Sequence, residues 1–273
     1  MRSIPLDEIT GTFEELTFMH TVTHVIKGDS TKALISLRIE NGLPPENSVV
    51  SVGYRPRIAS QSSPDFPTRK AEALLQPGEG LLYQAEIPNI GRGQEISYWF
   101  QLENEEGETM TVFPARNDSQ NEKLWIRFEG SRSTPLLIVH IGFMFGSFLL
   151  MVLAFMTAWE HVKESAVLHR LSKLVLWATV CLFIGVIPVG FWINYQVYAA
   201  YWTGFPLGRD ITDSKSLLIL LYWILLLFYF KGSVFSQNPA RNLAGAAGLK
   251  WMTIFGVLLS LAAFLIPHSS GNF

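Results

Sequence analysis

The sequence predicts two regions of different fold class: an all-β N-terminal sandwich of about seven strands at residues 1–130, and an all-α four-helix transmembrane bundle at residues 131–273. Three observations lead to this division. Short β-rich runs separated by Gly, Pro and Asn fill the first region. An uncharged stretch at residues 135–159 opens the second region, and three more apolar stretches follow it. The chain is 49% hydrophobic and 16% charged, too apolar for one soluble domain and too polar for an all-membrane protein.

Seven strands are predicted in the first region. They are an early strand within residues 16–26, followed by residues 33–40, 49–54, 81–87, 95–103, 109–113 and 123–128. Residues 33–40 alternate apolar and polar side chains, which is the pattern of a strand with one buried face. Residues 104–107 form a hairpin turn in which Gly107 adopts positive φ. The regular spacing of these strands predicts an antiparallel sandwich.

Three motifs in the second half of this region carry a resemblance. They are YQAEIP at residues 83–88, ISYWF at residues 96–100, and the Gly-initiated hairpin at residues 107–114. This pattern resembles a bacterial immunoglobulin or fibronectin type III-like module. The resemblance implies the sandwich fold and no particular activity, because such sandwiches host unrelated functions. The Cys-Trp-Cys core of antibody domains is absent, so the resemblance does not extend to them.

Four membrane spans are predicted at residues 135–159, 171–194, 214–232 and 249–267, since about 20 apolar residues cross a bilayer as a helix. Gly185, Pro188 and Gly190 are expected to kink or loosen the second span. The spacings Gly142-x-x-x-Gly146 and Gly256-x-x-x-Ser260 permit close helix approach in the first and fourth spans. Lipid leaves backbone polar groups no partner outside a helix, so a four-helix bundle is the expected assembly.

The distribution of Lys and Arg predicts the sidedness of the membrane region. Six of them flank the first and third loops, namely Lys163, Arg170, Lys173, Lys231, Arg241 and Lys250. The second loop carries only Arg209 and Lys215. The positive-inside rule therefore places the sandwich outside a bacterial inner (cytoplasmic) membrane. Acidic residues near the N-terminus leave no secretory signal visible, and this observation favours the opposite orientation.

Composition excludes several partners and cofactors. The net charge of −2 and the lack of a basic run argue against a nucleic-acid partner. The single cysteine, Cys181, excludes disulfides within the chain, covalent haem attachment, cysteine-ligated iron-sulfur clusters and tetrathiolate zinc. Any cofactor must therefore be bound by His, Met, carboxylate or backbone groups.

His140 is the candidate cofactor ligand of the membrane region. Helical spacing places Met144, Ser147 and Met151 on its face, and His268 follows the fourth span at the same membrane side. Two imidazoles at one depth suit haem b or, together with Met144, a copper ion. His161 and His169 meet at the opposite face, so the two pairs together suit transmembrane electron transfer. The alternative is that His140 forms a hydrogen bond to a neighbouring helix.

The loop after the second span is the other candidate site. Trp202, Arg209, Asp210, Asp213 and Lys215 form a predicted pocket for a quinone head group, or a surface that docks a partner. In the alternative interpretation these residues are structural: Thr212, Asp213 or Ser214 caps the third span, and Arg209 pairs with Asp210 or Asp213.

His20 and His24 share a strand face by spacing, and without a third ligand nearby they are predicted to be surface-exposed strand residues rather than a metal site. No hydrolase elbow, Walker loop, zincin motif or dinucleotide fingerprint is present, so we expect no catalysis by this chain alone. The expected function is a scaffold or docking subunit of a bacterial membrane complex of respiratory or electron-transfer type. The alternative function is a haem b-binding or quinol-interacting membrane anchor.

Overall fold

A computed structural model describes residues 7–13, 15–28, 30–42, 44–57, 68–70, 72–75, 81–114, 124–160, 164–208, 210–236 and 238–266, and all structural statements refer to these ranges. The chain divides into two compact units, residues 1–131 and residues 132–273. The first unit contains the strands and the second contains the helices.

The described part of the first unit has eleven strands. They are β1 (Asp7–Phe13), β2 (Leu16–Val22), β3 (Val25–Lys27), β4 (Lys32–Asn41), β5 (Val49–Pro56), β6 (Thr68–Lys70), β7 (Glu72–Leu75), β8 (Leu81–Pro88), β9 (Glu95–Glu103), β10 (Thr109–Phe113) and β11 (Trp125–Glu129). One sheet has the order β1-β2-β4-β8-β7, and the other has the order β3-β11-β9-β5-β6. β10 and β11 pair with different ends of β9, β10 with residues 100–103 and β11 with residues 95–97.

Both sheets contribute to one hydrophobic core. Buried and partly exposed residues alternate along β2 and β9, because successive side chains of a strand point to opposite faces. The buried faces of the two sheets meet in one cluster, which includes Leu37 and Ile87 from one sheet and Ile96, Phe100 and Phe128 from the other. Burying each such side chain contributes about 1.5–3 kcal/mol, which makes this cluster the main stabilising feature of the first unit.

The structure contains all seven predicted strands and corrects the prediction in three respects. It adds β1, β3, β6 and β7, of which the last three are only three or four residues long. The pair β3–β11 is parallel, whereas an antiparallel arrangement was expected throughout. His20 is 2% exposed, so its prediction as a surface residue was wrong. His24 follows β2, and its ring stacks on Trp125 with centroids 4.5 Å apart.

The second unit consists mainly of α-helices. They are α1 (Thr134–Ala158), α2 (Ser165–Ile184), α3 (Gly190–Tyr198), α4 (Ile211–Tyr229), α5 (Lys231–Phe235) and α6 (Ala246–Leu265). A π-helical turn, Gly185–Val189, joins α2 to α3 without a break. Four helices in the described ranges are long and apolar enough to cross a membrane: α1, the continuous segment Ser165–Tyr198, α4 and α6. The prediction of four candidate spans is thereby confirmed.

The bounds of all four predicted spans differ from the structure, most of all those of the second span. The second span extends from Ser165 to Tyr198 instead of residues 171–194, because a helix continues beyond the hydrocarbon core where charged residues such as Arg170 and Lys173 are tolerated. α4 begins at Ile211, three residues earlier than predicted, because Asp210 rather than a later residue is its N-cap.

The spanning helices pack around a buried tryptophan. α1 contacts α2 and α6, and α4 contacts the same two helices. Trp223 of α4 is fully buried, and its indole N–H donates to Ser260 Oγ of α6 at 3.0 Å. Gly256 of α6 lies against Tyr222, whose ring would be 2.5 Å from an added Cβ. The Gly256-x-x-x-Ser260 spacing therefore mediates helix packing, whereas Gly142 and Gly146 of α1 face open space.

Candidate functional site

His140 lies in the second turn of α1 and reaches across to the π-helical turn. Its Nδ1–H donates to the carbonyl oxygen of Gly185 at 3.0 Å. The same carbonyl accepts the backbone N–H of Gly190, which the π-helical geometry brings within reach. Pro188 lies within this turn and lacks an N–H, which interrupts the α-helical hydrogen-bond pattern. The hydrogen bond fixes the tautomer in which His140 Nε2 carries the lone pair.

The contact between α1 and the π-helical turn is close because Gly185 has no side chain. A Cβ at this position would lie 3.0 Å from Met144 Sδ and 3.3 Å from Phe143 Cβ. Met144 is 8% exposed and shares the inner face of α1 with Ser147 and Met151. His140 and Met144 therefore both face the π-helical turn, as their spacing predicts.

The residues that would complete a metal or haem site lie largely outside the described ranges. The predicted partner His268 and the histidine of the opposite face, His161, are both outside them. His169 is described and borders a cavity of about 260 Å³ with Ser165, Ala166, Ser233 and Pro239. Within the described part of the chain, no group of three or more His, Cys, Asp or Glu side chains is arranged to bind a metal ion.

Asp213 is the central residue of the loop that joins α3 to α4. Its Oδ2 accepts three hydrogen bonds, from Thr203 N at 2.9 Å, Thr203 Oγ1 at 2.8 Å and Asn194 Nδ2 at 2.7 Å. Asn194 belongs to α3 and Asp213 to α4, so the carboxylate joins the ends of two spanning helices through the loop. Hydrogen bonds to a charged acceptor are stronger than neutral ones, which makes this a rigid connection.

The other predicted pocket residues also bond within the chain. Asp210 caps α4 by accepting from Thr212 N at 2.7 Å and Asp213 N at 3.3 Å. Lys215 is 9% exposed, and its ammonium donates to the carbonyl oxygen of Ile266 at the end of α6, at 2.5 Å. Trp202 Nε1 donates to Phe205 O at 3.1 Å. Arg209 lies outside the described residues.

The geometry of this loop agrees with the structural alternative rather than with an open pocket. The two carboxylates and the ammonium use their hydrogen bonds to fix the loop and the ends of α3, α4 and α6. The capping residue is Asp210, not Thr212, Asp213 or Ser214 as that alternative specified. A head-group ligand would have to compete with these intramolecular bonds.

The first unit contains a polar pair inside its core that sequence analysis missed. His20 of β2 donates from Nδ1 to Ser36 O at 2.5 Å, and its Nε2 accepts from the hydroxyl of Tyr98 in β9 at 2.7 Å. Tyr98 is 2% exposed, and burial raises its pKa far above the ordinary value. Burial lowers the pKa of His20 to about 4, against the opposing effect of the Ser36 carbonyl. This pair is a hydrogen-bonded link between the two sheets.

The outer face of the β9-containing sheet presents an ordered row of aromatic and polar side chains. Trp99 lies flat over Gly53 of β5, where an added Cβ would be 2.2 Å from the indole. Its Nε1 donates to Gln101 Oε1 at 3.0 Å, and Gln101 Nε2 donates in turn to Glu103 Oε1 at 2.5 Å. Arg57 follows the last residue of β5, and its guanidinium lies over the ring of Trp125, 5.5 Å from the ring centroid. The pattern WF at residues 99–100 signalled a strand, but not this row.

Comparison with known proteins gives no relative from which a role can be transferred. No protein-family model matches the chain, and no curated protein is significantly similar to it.

Proposed function

We propose that this chain is a non-catalytic, multi-pass subunit of a bacterial membrane complex, in which the four spanning helices anchor a β-domain that serves assembly or docking. One observation carries the proposal: the polar side chains of the α3–α4 loop bond to the chain itself. Asp210, Asp213 and Lys215 fix helix ends. Such a use of charged groups rigidifies the connection between the helices, as an anchor requires.

For the β-domain we propose an immunoglobulin or fibronectin type III-like sandwich. The strand order β2-β4-β8-β7 supports the order A-B-E-D of that fold, and β11-β9-β5 supports the order G-F-C. In this assignment the short β3 continues strand A, which is β2, and pairs in parallel with strand G, which is β11. The motifs behind the resemblance lie on β8, β9 and β10. For the helices we propose a four-helix bundle, because each spanning helix contacts two others.

The partner we propose is another protein subunit, bound on the outer face of the β9-containing sheet. This face combines indole rings with guanidinium groups, the side chains most enriched at protein interface hot spots. Arg127 is held there by Glu129 at 2.8 Å and by Glu95 at 3.8 Å, so the charged groups are ordered before a partner binds. Preorganised side chains lose less entropy on association.

Site-specific photocrosslinking of the full chain in its native membrane tests this docking role. A photoreactive residue at Gln101, on the proposed face, is expected to crosslink to one defined protein in near-stoichiometric yield. The matched control is Gln84 of β8, which lies on the outer face of the other sheet and is expected to crosslink weakly. Equal yields at both positions, or no crosslink at Gln101, would refute the docking role.

We propose further that the β-domain and the α3–α4 loop lie outside the cytoplasm of a bacterial inner membrane. The excess of Lys and Arg around the connection from α1 to α2 and the connection from α4 to α6 supports this orientation. With Cys181 replaced, a cysteine at the exposed Ala199 is expected to react with a membrane-impermeant maleimide in intact cells. A cysteine at Ala240, exposed in the opposite loop, is the control and is expected to react only after lysis. The reverse pattern contradicts the orientation.

A second candidate function is a haem b-binding or quinol-interacting anchor, and one observation favours it. The bond from His140 Nδ1 to Gly185 O leaves Nε2 without a hydrogen bond in the described part of the chain. Metal-ligating histidines in proteins characteristically donate their other ring N–H to a carbonyl or carboxylate in this way. His140 would therefore hold a haem iron through Nε2, and the haem would supply the electron-transfer chemistry.

The reduced-minus-oxidised absorption spectrum of the detergent-purified chain separates the two candidates. The haem function requires a haem b band that His140→Ala abolishes and that Thr157→Ala, a matched variant at the opposite end of α1, retains. A colourless protein supports the scaffold function and removes the haem function. Loss of the band in both variants would attribute it to general unfolding, which circular dichroism of each variant then reveals.

A further inference from the structure

Three apolar residues point outward from the α3–α4 loop. Phe205 is 70% exposed, Leu207 is 81% exposed, and Pro206 between them is also exposed. We call residues 205–207 the apolar tip. The next helix continues this apolar surface, since Ile211 and Leu218 of α4 are 44% and 56% exposed.

The apolar tip is held rigidly on the first turn of α4. Phe205 N donates to Ser214 Oγ at 2.9 Å, and Leu207 N donates to Gly204 O at 3.0 Å. Gly208 fits against Thr203, where any side chain would overlap the Thr203 carbonyl. The polar groups of the loop already hold the exposed apolar tip in place. The tip therefore loses little further conformational entropy when it is covered.

A second, independent observation identifies what covers the tip. The uncharged segment of α4 runs from Ser216 to Phe230, between Lys215 and Lys231, and its fifteen residues span about 22 Å at 1.5 Å per residue. The uncharged segment of α6 after Lys250, residues 251–265, has the same length. A bilayer hydrocarbon core is about 30 Å thick, so these two uncharged segments are about 8 Å shorter than the core, although the complete helices are long enough to cross it.

Lys215 marks the end of the uncharged segment of α4 that lies nearest to the apolar tip. Its ammonium bonds to Ile266 O, so the apolar segments of α4 and α6 end at a common polar level. The tip sits on the same turn of α4 through the bond from Phe205 to Ser214. Interfacial aromatics surround this level, including Tyr195 and Tyr201, whose rings stack at 4.7 Å.

We propose that the apolar tip inserts into the acyl-chain boundary of the adjoining leaflet and supplements the apolar length of the uncharged segments of α4 and α6. The occupant is lipid because the tip is continuous with the lipid-facing surface of α4. The inference assumes that the four helices span the bilayer. It is independent of the docking role and of any cofactor.

Nitroxide accessibility in the full chain, reconstituted in phosphatidylcholine bilayers, tests the insertion. With Cys181 replaced by Ala, a spin label at position 205 or 207 is expected to collide more with oxygen than with a water-soluble nickel chelate. The lipid control is Leu225, 53% exposed in the middle of α4, and the aqueous control is Glu106, exposed in the β9–β10 turn. Nickel accessibility equal to that at position 106 overturns the proposal. Protection from both reagents also overturns it, because the occupant would then be protein.

Bilayer thickness provides a test without labels. The double variant Phe205→Ser, Leu207→Ser is expected to lower the thermal stability of the helices more in C20 than in C14 phosphatidylcholine, since the thicker bilayer increases the difference in length between the core and the uncharged segments. Leu34→Ser, at a 62% exposed position on β4, is the control and is expected to have no effect in either lipid. An equal loss in both thicknesses contradicts insertion.

Discussion

Acidification is predicted to destabilise the β-domain through His20, the polar residue that links its two sheets. In the folded chain His20 is neutral, because burial lowers its pKa to about 4. In the unfolded chain it regains an ordinary pKa of about 6.5. Between these two values the unfolded state binds a proton that the folded state does not, so stability falls as pH decreases. The stability contributed by neutral His20 is fully present above about pH 6.5 and decreases progressively as the pH falls to about 4.

The magnitude follows from the difference between the two pKa values. A difference of about 2.5, at 1.36 kcal/mol per pKa unit, predicts a loss of about 3 kcal/mol on going from pH 7 to pH 4. The Tyr98 hydroxyl keeps its proton throughout, because burial raises its pKa. Acid acts on the whole domain, so the effect of His20 must be measured against a variant that lacks the imidazole at this position. His20→Gln retains a donor for Ser36 O and an acceptor for Tyr98.

Amide hydrogen exchange of the full chain in nanodiscs measures this difference locally. Peptides from β2 and β9 report the free energy of opening after correction for the intrinsic pH dependence of exchange. The wild type is expected to lose about 3 kcal/mol more than His20→Gln, a change of two to three powers of ten in the opening equilibrium. Peptides from α1 serve as the internal control and are expected to show no difference. If wild type and His20→Gln lose the same free energy, His20 is not the cause and the assignment of its protonation is wrong.

Three further substitutions test the helical unit, each by the temperature at which the detergent-solubilised chain loses its monodisperse elution. Gly256→Ala places a methyl group against the ring of Tyr222 and is expected to destabilise by about 1–3 kcal/mol. Gly142→Ala faces open space and is expected to be neutral or slightly stabilising, since Ala favours helix over Gly; equal losses in both variants would show that Gly256 is not a packing site. Asp213→Ala removes three hydrogen bonds to a carboxylate and is expected to cost on the order of 3 kcal/mol and to expose the loop to proteolysis. An unchanged proteolysis rate would show that the loop is held by other contacts.

The regular strands were predictable because their burial has a period of two. Residues 33–40 alternate in the sequence, and β4 alternates in burial over Lys32–Asn41. The short strands were not predictable, since β3 has three residues and pairs with β11 about one hundred positions later. Three residues carry no measurable periodicity, and a long-range pairing leaves no local signal.

The position of His20 shows why the alternation of apolar and polar residues along a strand can mispredict the burial of a polar residue. A histidine in an alternating strand counts as outward-facing, because an unpaired imidazole in a core costs free energy. Here its two nitrogens bond to Ser36 O and to the Tyr98 hydroxyl, so the cost is removed. Tyr98 is 78 positions away, and the partner is visible only once the two sheets are assembled.

The apolar segments gave the number of candidate spans but not which faces meet. Gly142-x-x-x-Gly146 and Gly256-x-x-x-Ser260 have the same spacing, yet only the second lies in a helix contact. Lipid-facing and protein-facing apolar side chains have the same composition in a membrane helix, because no hydrophobic driving force separates them. Sequence spacing therefore identifies permitted contacts, and tertiary structure selects among them.

The α3–α4 loop explains why candidate functional residues were harder to predict than the spans. Asp213 lies at the start of a helix, where a carboxylate ordinarily caps, but it bonds to Thr203 and Asn194, ten and nineteen positions earlier. The charged residues that suggested a ligand pocket are also suited to a rigid loop near a membrane. Little water is available there to satisfy them, so they form hydrogen bonds within the chain. A polar residue at this depth distinguishes ligand binding from support only through its hydrogen-bond partners. For Asp213 and Lys215 those partners belong to the chain. For His140, Nδ1 is bonded to Gly185 O, whereas Nε2 has no hydrogen bond in the described part of the chain. The measurement that most directly separates an anchor from an electron carrier is therefore the one made at His140.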